Sequence, residues 1–295
     1  MALEIAPVQD DAAPSTSVQA PLRSVAIPLT DPWSEGCKWS AIVLAGQRPG
    51  IDPLASLFSL ESKACVPLLG KPMAAWVIET LLAMPQIGNI VILAQNREMV
   101  SAPGLAELID DDRVTFAKSI GGISQSISNV IGKAPLEWPV LITTADHPLL
   151  TVDMVSAFID GTGVSDLAVG AVERQTLLQR YPESKRTWLK FRGGAYSGAN
   201  LFALSSRDTL KALELWAQAE QDRKKAFRLF WHFGPGLALR AITRTISFRS
   251  ALHRAGRKLG LNASLVLLSQ AEAAIDVDKI SDHEQAELIL SQRLL

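Results

Sequence analysis

The chain predicts an α/β fold built on a mixed, mostly parallel sheet. Three observations carry this. Short apolar runs of strand length recur along residues 40–172. Segments of helical spacing separate them, giving a β-α-β-α order that calls for right-handed crossovers. The runs are apolar without a polar alternate, as expected of strands buried on both faces.

Residues 1–37 are rich in Ala, Pro, Ser, Asp and Gln, with prolines at 7, 14, 21, 28 and 32. They predict a disordered tail. Residues 38–295 then predict one folded domain. Ser40–Ala45 reads as a first strand ending at Gly46. Met73, Trp76, Val77, Thr80 and Leu81 have helical spacing over 73–83, with Pro72 suited to the helix start. Asn89–Ala94 and Val114–Ala117 read as strands, Ser124–Ile131 as a helix and Val140–Thr144 as a further strand. Thr151 caps a predicted helix to Ile159, and Leu167–Val172 is the next strand. Leu210–Ala219 is helical, within a helical elaboration over about 205–260. Leu265–Leu268 returns as a strand. Ser281–Leu290 closes the chain as a helix, with Ser281 as cap and Glu284 at the third helical position.

Composition narrows the function. Apolar residues make up 48% of the 295, and charged residues 20%. The net charge is −1, so the chain is not a nucleic-acid binder by overall charge. The two cysteines, Cys37 and Cys65, lack metal-ligand spacing and suit a reducing, cytoplasmic setting. No apolar stretch reaches the roughly 18 residues of a spanning helix, and the first residues lack the pattern of a secretory signal. His147, His232, His253 and His283 show no ligand spacing, and no Ser-His-Asp or Cys-His arrangement emerges.

Chemistry concentrates in three separated pieces. Leu44-Ala45-Gly46 ends a strand in small residues, so backbone N–H groups can approach a phosphate; Lys63 lies beyond that turn as a point cation. Asp146 is delivered by an apolar strand to the sheet edge where α/β proteins bind ligands. Asp276-Val277-Asp278 supplies two more carboxylates. Strand alternation would set Asp276 and Asp278 on one side, about 7 Å apart. Asp282 suits the following helix N-terminus. Each piece also has a plain reading: a surface lysine, a turn aspartate, an ordinary loop.

Together the pieces resemble a family. Lys63 to Met73 resembles the K-x-x-x-P-x-x-G-K-P-[LM] signature of the MobA-like, GT-A-fold NTP transferase superfamily, whose sheet is Rossmann-like. The resemblance covers about residues 39–290 and implies that Lys63 contacts nucleotide phosphates, with Gly70 and Pro72 shaping the turn. The family's first loop, L-A-G-G-x-G-x-R, is here Leu44-Ala45-Gly46-Gln47-Arg48, with Gln47 for the second glycine and Arg48 as a stand-in for the arginine. Gly121-Gly122-Ile123-Ser124-Gln125-Ser126 resembles the base- and ribose-contacting segment. Asp146-His147-Pro148-Leu149 resembles the D-x-P-L motif that binds Mg²⁺, and Asp276 or Asp278 corresponds to the second metal carboxylate. Gly198 and Asn200 resemble a strand beside the acceptor. The resemblance implies Mg²⁺-dependent transfer from an NTP to a phosphorylated small-molecule or lipid-precursor acceptor, with pyrophosphate released. The absence of Gly-x-Asp-Lys tilts the donor toward CTP. A molybdenum-cofactor-type guanylyltransferase, a GT-A glycosyltransferase and an inactive nucleotide-binding protein are the alternatives.

Residues 223–271 hold ten Lys or Arg and no Asp or Glu, and aromatic residues are interleaved over the first part. Three readings stay open for 223–260: a solvated helical insertion with its apolar face on the core, a phosphorylated-acceptor site, or a peripheral contact with an anionic membrane.

Overall fold

The computed structural model describes residues 38–47, 50, 52–131, 133, 135–220 and 233–295. The tail over 1–37, Arg48 and residues 223–232 of the basic segment lie outside the described residues.

The strands are β1 (Trp39–Leu44), β2 (Pro67–Leu68), β3 (Lys71–Pro72), β4 (Ile87–Ala94), β5 (Val114–Lys118), β6 (Val140–Thr144), β7 (Leu167–Glu173), β8 (Leu189–Phe191), β9 (Gly194–Leu204) and β10 (Ala263–Leu268). The helices described are α1 (Pro53–Leu57), α2 (Met73–Leu82), α3 (Ala106–Ile109), α4 (Ile123–Val130), α5 (Val152–Thr162), α6 (Arg174–Arg180), α7 (Leu210–Glu220), α8 (Pro235–Ile242), α9 (Phe248–Lys258) and α10 (Ile280–Leu294).

The main sheet runs β10-β7-β9-β6-β1-β4-β5, with β8 added beside β9. β1 is parallel to β4 and β6, β4 to β5, and β10 to β7. β9 alone runs against its neighbours β6, β7 and β8. The sheet is therefore mixed and mostly parallel. The chain winds outward from β1 through β4 to β5 and then returns to β6 on the other side of β1. That reversal opens a crevice at the C-terminal ends of β1 and β6, where open α/β sheets take ligands.

Both sheet faces are covered, which explains the unbroken apolar runs. Ala41, Val43, Ile90 and Ile92 pack with Met73, Val77, Met154 and Phe158 of α2 and α5. The alternate residues Ile42, Val91 and Leu93 pack with Ile127 of α4 and Leu213 of α7 on the opposite face. Thr151 caps α5 as predicted, its hydroxyl accepting the Met154 N–H at 3.3 Å.

Two predictions fail locally. Residues 275–278 are not a strand. Val277 N–H donates to the Asp146 carbonyl at 2.9 Å, but no ladder extends that bond, so nothing holds Asp276 and Asp278 to one side. The last helix begins two residues earlier than expected. Lys279 takes the cap position, and its carbonyl accepts both the Asp282 and His283 N–H groups at 3.0 Å. Ser281 therefore lies inside the first turn and cannot cap. Among the described residues no helix is long and apolar enough to cross a membrane.

Candidate functional site

The crevice is floored by the loop after β1. Ala45 N–H continues the sheet by donating to Leu93 O at 3.0 Å, and Ala145 N–H donates to Leu44 O at 2.9 Å. These bonds tie the end of β1 to β4 and to the turn that carries Asp146. Gly46 is exposed, and a side chain there would press on the Gln95 amide: a Cβ would sit 3.1 Å from Gln95 Nε2. Gln95 clamps the turn, its Oε1 accepting the Gln47 N–H at 3.0 Å and its Nε2 donating to the Gln47 carbonyl at 2.8 Å. The Gln47 side chain donates to Glu61 O at 2.7 Å. Gln47, which replaces a glycine of the family pattern, thus braces the loop against the segment leading to Lys63.

Lys63 starts a short 3₁₀ turn, Lys63–Cys65. Its ammonium donates to Asp146 Oδ2 and to Asp278 Oδ1, each at 2.6 Å. Burial by itself would lower the Lys63 pKa, but the Asp146 and Asp278 carboxylates outweigh it and hold the ammonium well above its ordinary value. Lys63 is therefore a fixed positive charge at neutral pH. The rest of the signature is architectural. Leu69 and Gly70, both at positive φ (50° and 79°), turn the β2–β3 hairpin. Leu69 N–H donates to Glu287 Oε1 at 2.9 Å, latching that hairpin to α10. Lys71 turns to Glu79 at 2.6 Å and lies over the Trp76 ring.

Asp276 and Asp278, equivalent in the sequence, separate here. Asp278 joins Lys63. Asp276 is bound by Arg186, which also reaches the Asp276 carbonyl at 3.0 Å and Asp282 at 3.4 Å. Only 8% of the Arg186 side chain is exposed. Burial pushes the Asp276 carboxyl up from its ordinary value, more than the Arg186 guanidinium pulls it down. Asp282 sits in the first turn of α10 and accepts the Asp278 N–H at 3.3 Å. No motif pointed to Arg186; it lies in the loop after α6, and only the fold brings it to residue 276.

The donor set fits a magnesium ion. Asp146 Oδ1 is buried and lacks a hydrogen-bond partner, while Asp146 Oδ2 and Asp278 Oδ1 converge on one cation. Among the described residues no cluster of three or more His, Cys, Asp or Glu gathers. Two carboxylates with substrate phosphates is the usual way Mg²⁺ is held, since the ion keeps several waters. His147, beside Asp146, is completely buried, and that burial drives its imidazole pKa down to about 4.

A cavity of about 530 Å³ lies beside this cluster. Ala45, Gln47, Ser62, Gln95, Ser119 and Gly121 are among its lining residues. Gly121 is at φ 77° and Gly122 precedes α4, so both expose backbone at a helix start. Ser124 and Ser126 are buried. The Ser126 hydroxyl exchanges hydrogen bonds with Ser119 Oγ and the Ile120 backbone, each at 2.9 Å, so it holds the Gly121–Gly122 turn from beneath. Gly198 lies exposed on β9 with open space around it. Asn200 is at φ 51°, where the β7–β9 register shifts. Val140 pairs with Leu204 and Ile142 with Phe202, and the β6–β9 ladder ends there, two residues short of Asn200.

The MobA-like NTP transferase domain family matches residues 41–239. A hypothetical transferase from Thermus thermophilus is 30% identical over 83% of this chain and 99% of its own, with a TM-score of 0.68. Two more distant structures share the fold. They are the 4-diphosphocytidyl-2C-methyl-D-erythritol synthase of Anaerococcus prevotii and a CMP:2-keto-3-deoxy-manno-octonic acid synthetase complexed with CTP. The first is 12% identical, covers 89% of this chain and 100% of its own, and has a TM-score of 0.55. The second is 11% identical, covers 87% and 100%, and has a TM-score of 0.56. Among curated proteins, the bifunctional protein GlmU of Ralstonia pickettii is 29% identical over 111 residues, 36% of this chain. That match spans only 23% of the GlmU chain. With the family match running from β1 to α8 across the Ala45-Gly46-Gln47 turn, Lys63 and Asp146, the chain belongs to the MobA-like NTP transferase domain family of nucleotidyltransferases.

Proposed function

We propose that the protein is a Mg²⁺-dependent nucleotidyltransferase, with CTP as the favoured donor and a phosphorylated small molecule or lipid precursor as acceptor. The observation that carries this is Lys63 held between Asp146 and Asp278 at the mouth of the β1–β6 crevice. A phosphate oxygen of the acceptor attacks the α-phosphorus of the NTP. The new P–O bond forms as the α–β bridging P–O bond breaks, and pyrophosphate leaves.

Asp146 and Asp278 are the residues that would hold Mg²⁺. When bound, the metal supplies Lewis-acid stabilisation of charge developing on the phosphates. With those carboxylates on a metal, the Lys63 ammonium would be available to the triphosphate. The turn at Ala45-Gly46-Gln47 offers backbone N–H groups to phosphate oxygens, and the Gln95 amide now on the Gln47 N–H is the group an anion would replace. The 530 Å³ cavity between that turn and Gly121–Gly122 suits base and ribose. Gly198 and Asn200 are assigned to the acceptor side. CTP comes first because the signature lacks Gly-x-Asp-Lys and because both distant fold neighbours carry cytidylyl chemistry in their names. The two-cysteine composition supports a cytoplasmic setting.

The test is a thermal-shift screen of CTP, GTP, UTP, ATP and dTTP with Mg²⁺ on wild type and Asp146→Ala. A ligand bound only to the native state raises its stability by mass action. We expect a metal-dependent shift with CTP that Asp146→Ala abolishes, followed by pyrophosphate release with a phosphorylated acceptor. A shift with sugar nucleotides alone, or a nucleotide shift indifferent to Asp146→Ala, would overturn the assignment.

A further inference from the structure

Helix α9 divides into two halves. Phe248, Leu252 and Gly256 face the sheet. Phe248 stacks on Phe191 with ring centroids 4.7 Å apart and lies 5.4 Å from Tyr196. Gly256 packs so closely that a Cβ would fall 2.5 Å from the Ala263 Cβ. The opposite half carries Arg249, His253, Arg254, Arg257 and Lys258, all exposed. At 100° per residue these five side chains span half the helix circumference. None of the four Arg or Lys residues forms an ion pair among the described residues, and residues 233–271 contain no Asp or Glu to offer one.

The preceding helix adds an apolar element. In α8, Ala238 is fully buried, whereas Leu239 is 62% and Ile242 56% exposed. Three residues apart, Leu239 and Ile242 share one helix face. Exposed Arg244 follows two residues later. The whole chain carries 29 basic and 30 acidic residues, so such a one-sign surface is a local departure from a balanced composition.

We propose that the basic half of α9, with the exposed Leu239 and Ile242 of the neighbouring α8, docks peripherally on an anionic lipid bilayer. The charge complement is a field of phosphate headgroups, which attracts basic helices over about a Debye length. The exposed aliphatic pair decides between a bilayer and a nucleic acid. Leucine and isoleucine gain by entering the acyl boundary, but they find no complement on a sugar-phosphate backbone. The contact holds whichever acceptor the enzyme uses.

Flotation of the full-length protein with vesicles tests it. With phosphatidylcholine alone the protein should remain at the bottom of the gradient. With an equimolar phosphatidylcholine–phosphatidylglycerol mixture it should float, and salt near 1 M should release it. Arg249→Gln/Arg254→Gln/Arg257→Gln/Lys258→Gln should weaken partitioning about 10²–10³-fold, and Leu239→Ser/Ile242→Ser about tenfold or more. Wild type that ignores anionic vesicles, or a quadruple variant that floats like wild type, overturns the proposal. So does binding to poly-U RNA as tight as to vesicles and indifferent to the serine pair, which would assign the face to nucleic acid. If the quadruple variant fails to fold, the serine pair and the salt series on wild type decide between these outcomes. The nucleotide thermal shift, read without lipid, reports on the transfer site separately.

Discussion

Lys63 and Asp278 stand 215 residues apart in the chain, yet the ammonium of one donates to the carboxylate of the other at 2.6 Å. Asp146 joins the same ammonium at the same distance. Two carboxylates held around one cation would repel each other if it were removed without replacement.

Lys63→Ala should therefore lower kcat/KM for pyrophosphate release about 10²–10³-fold. Lys63→Arg should rescue little, because a planar fork cannot stand in for a point charge between two carboxylates. Steady-state kinetics with the donor from the nucleotide screen decides this. Activity within a few-fold of wild type in Lys63→Ala would remove Lys63 from the chemistry.

Asp276→Asn and Asp278→Asn should behave differently. Asp278→Asn should abolish the Mg²⁺-dependent part of the nucleotide thermal shift and leave denaturant stability nearly unchanged, since Asp278 is mostly exposed. Asp276→Asn leaves the buried Arg186 with Asp282 as its remaining carboxylate partner and should cost about 1–3 kcal/mol in urea unfolding. The reverse pattern would make Asp276 the metal carboxylate.

Gly121→Ala should destabilise the protein by about 1–2 kcal/mol. Gly121 sits at φ 77°, and its Cβ would fall 2.4 Å from Gln125 Oε1. Because Gly121 lines the cavity, the nucleotide KM should rise as well. An unchanged KM would separate the turn from nucleotide binding.

His147 makes stability sensitive to acid. Its folded pKa is depressed to about 4 from an ordinary 6.5 because the ring is wholly buried. The unfolded chain binds the proton more readily, so this contribution is complete above about pH 6.5 and is lost as pH falls toward 4. The loss amounts to about 3 kcal/mol. His147→Gln should flatten the pH dependence of urea stability across that window. An unaltered slope would place the acid sensitivity elsewhere.

The α/β class, most element positions and the three pieces of the candidate site were legible in the sequence because they are local. A strand buried on both faces must be apolar throughout, and so β1, β4, β6 and β7 stand out. A signature such as Lys63 to Met73 encodes a tight hairpin and a helix start within eleven residues. The elements missed were those with weak local signals. β8 is three residues long, with a side-chain row largely outside the core. α6 carries only one buried side chain, Leu177. Residues 275–278 alternate like a strand but find no partner to complete a ladder.

By itself, the sequence determined which chemistry was present: a small-residue turn, a lysine, and carboxylates at 146, 276 and 278. Only the tertiary structure decided which of these act together. It assigned Asp278 to Lys63 and Asp276 to Arg186, and it turned the cations of α9 away from the core. The reason is physical. Periodicity reports on one element's own burial, whereas charge pairing depends on which elements the sheet order brings to the same edge. The reversal of strand order at β1 sets that edge, and no residue of the signature encodes it alone.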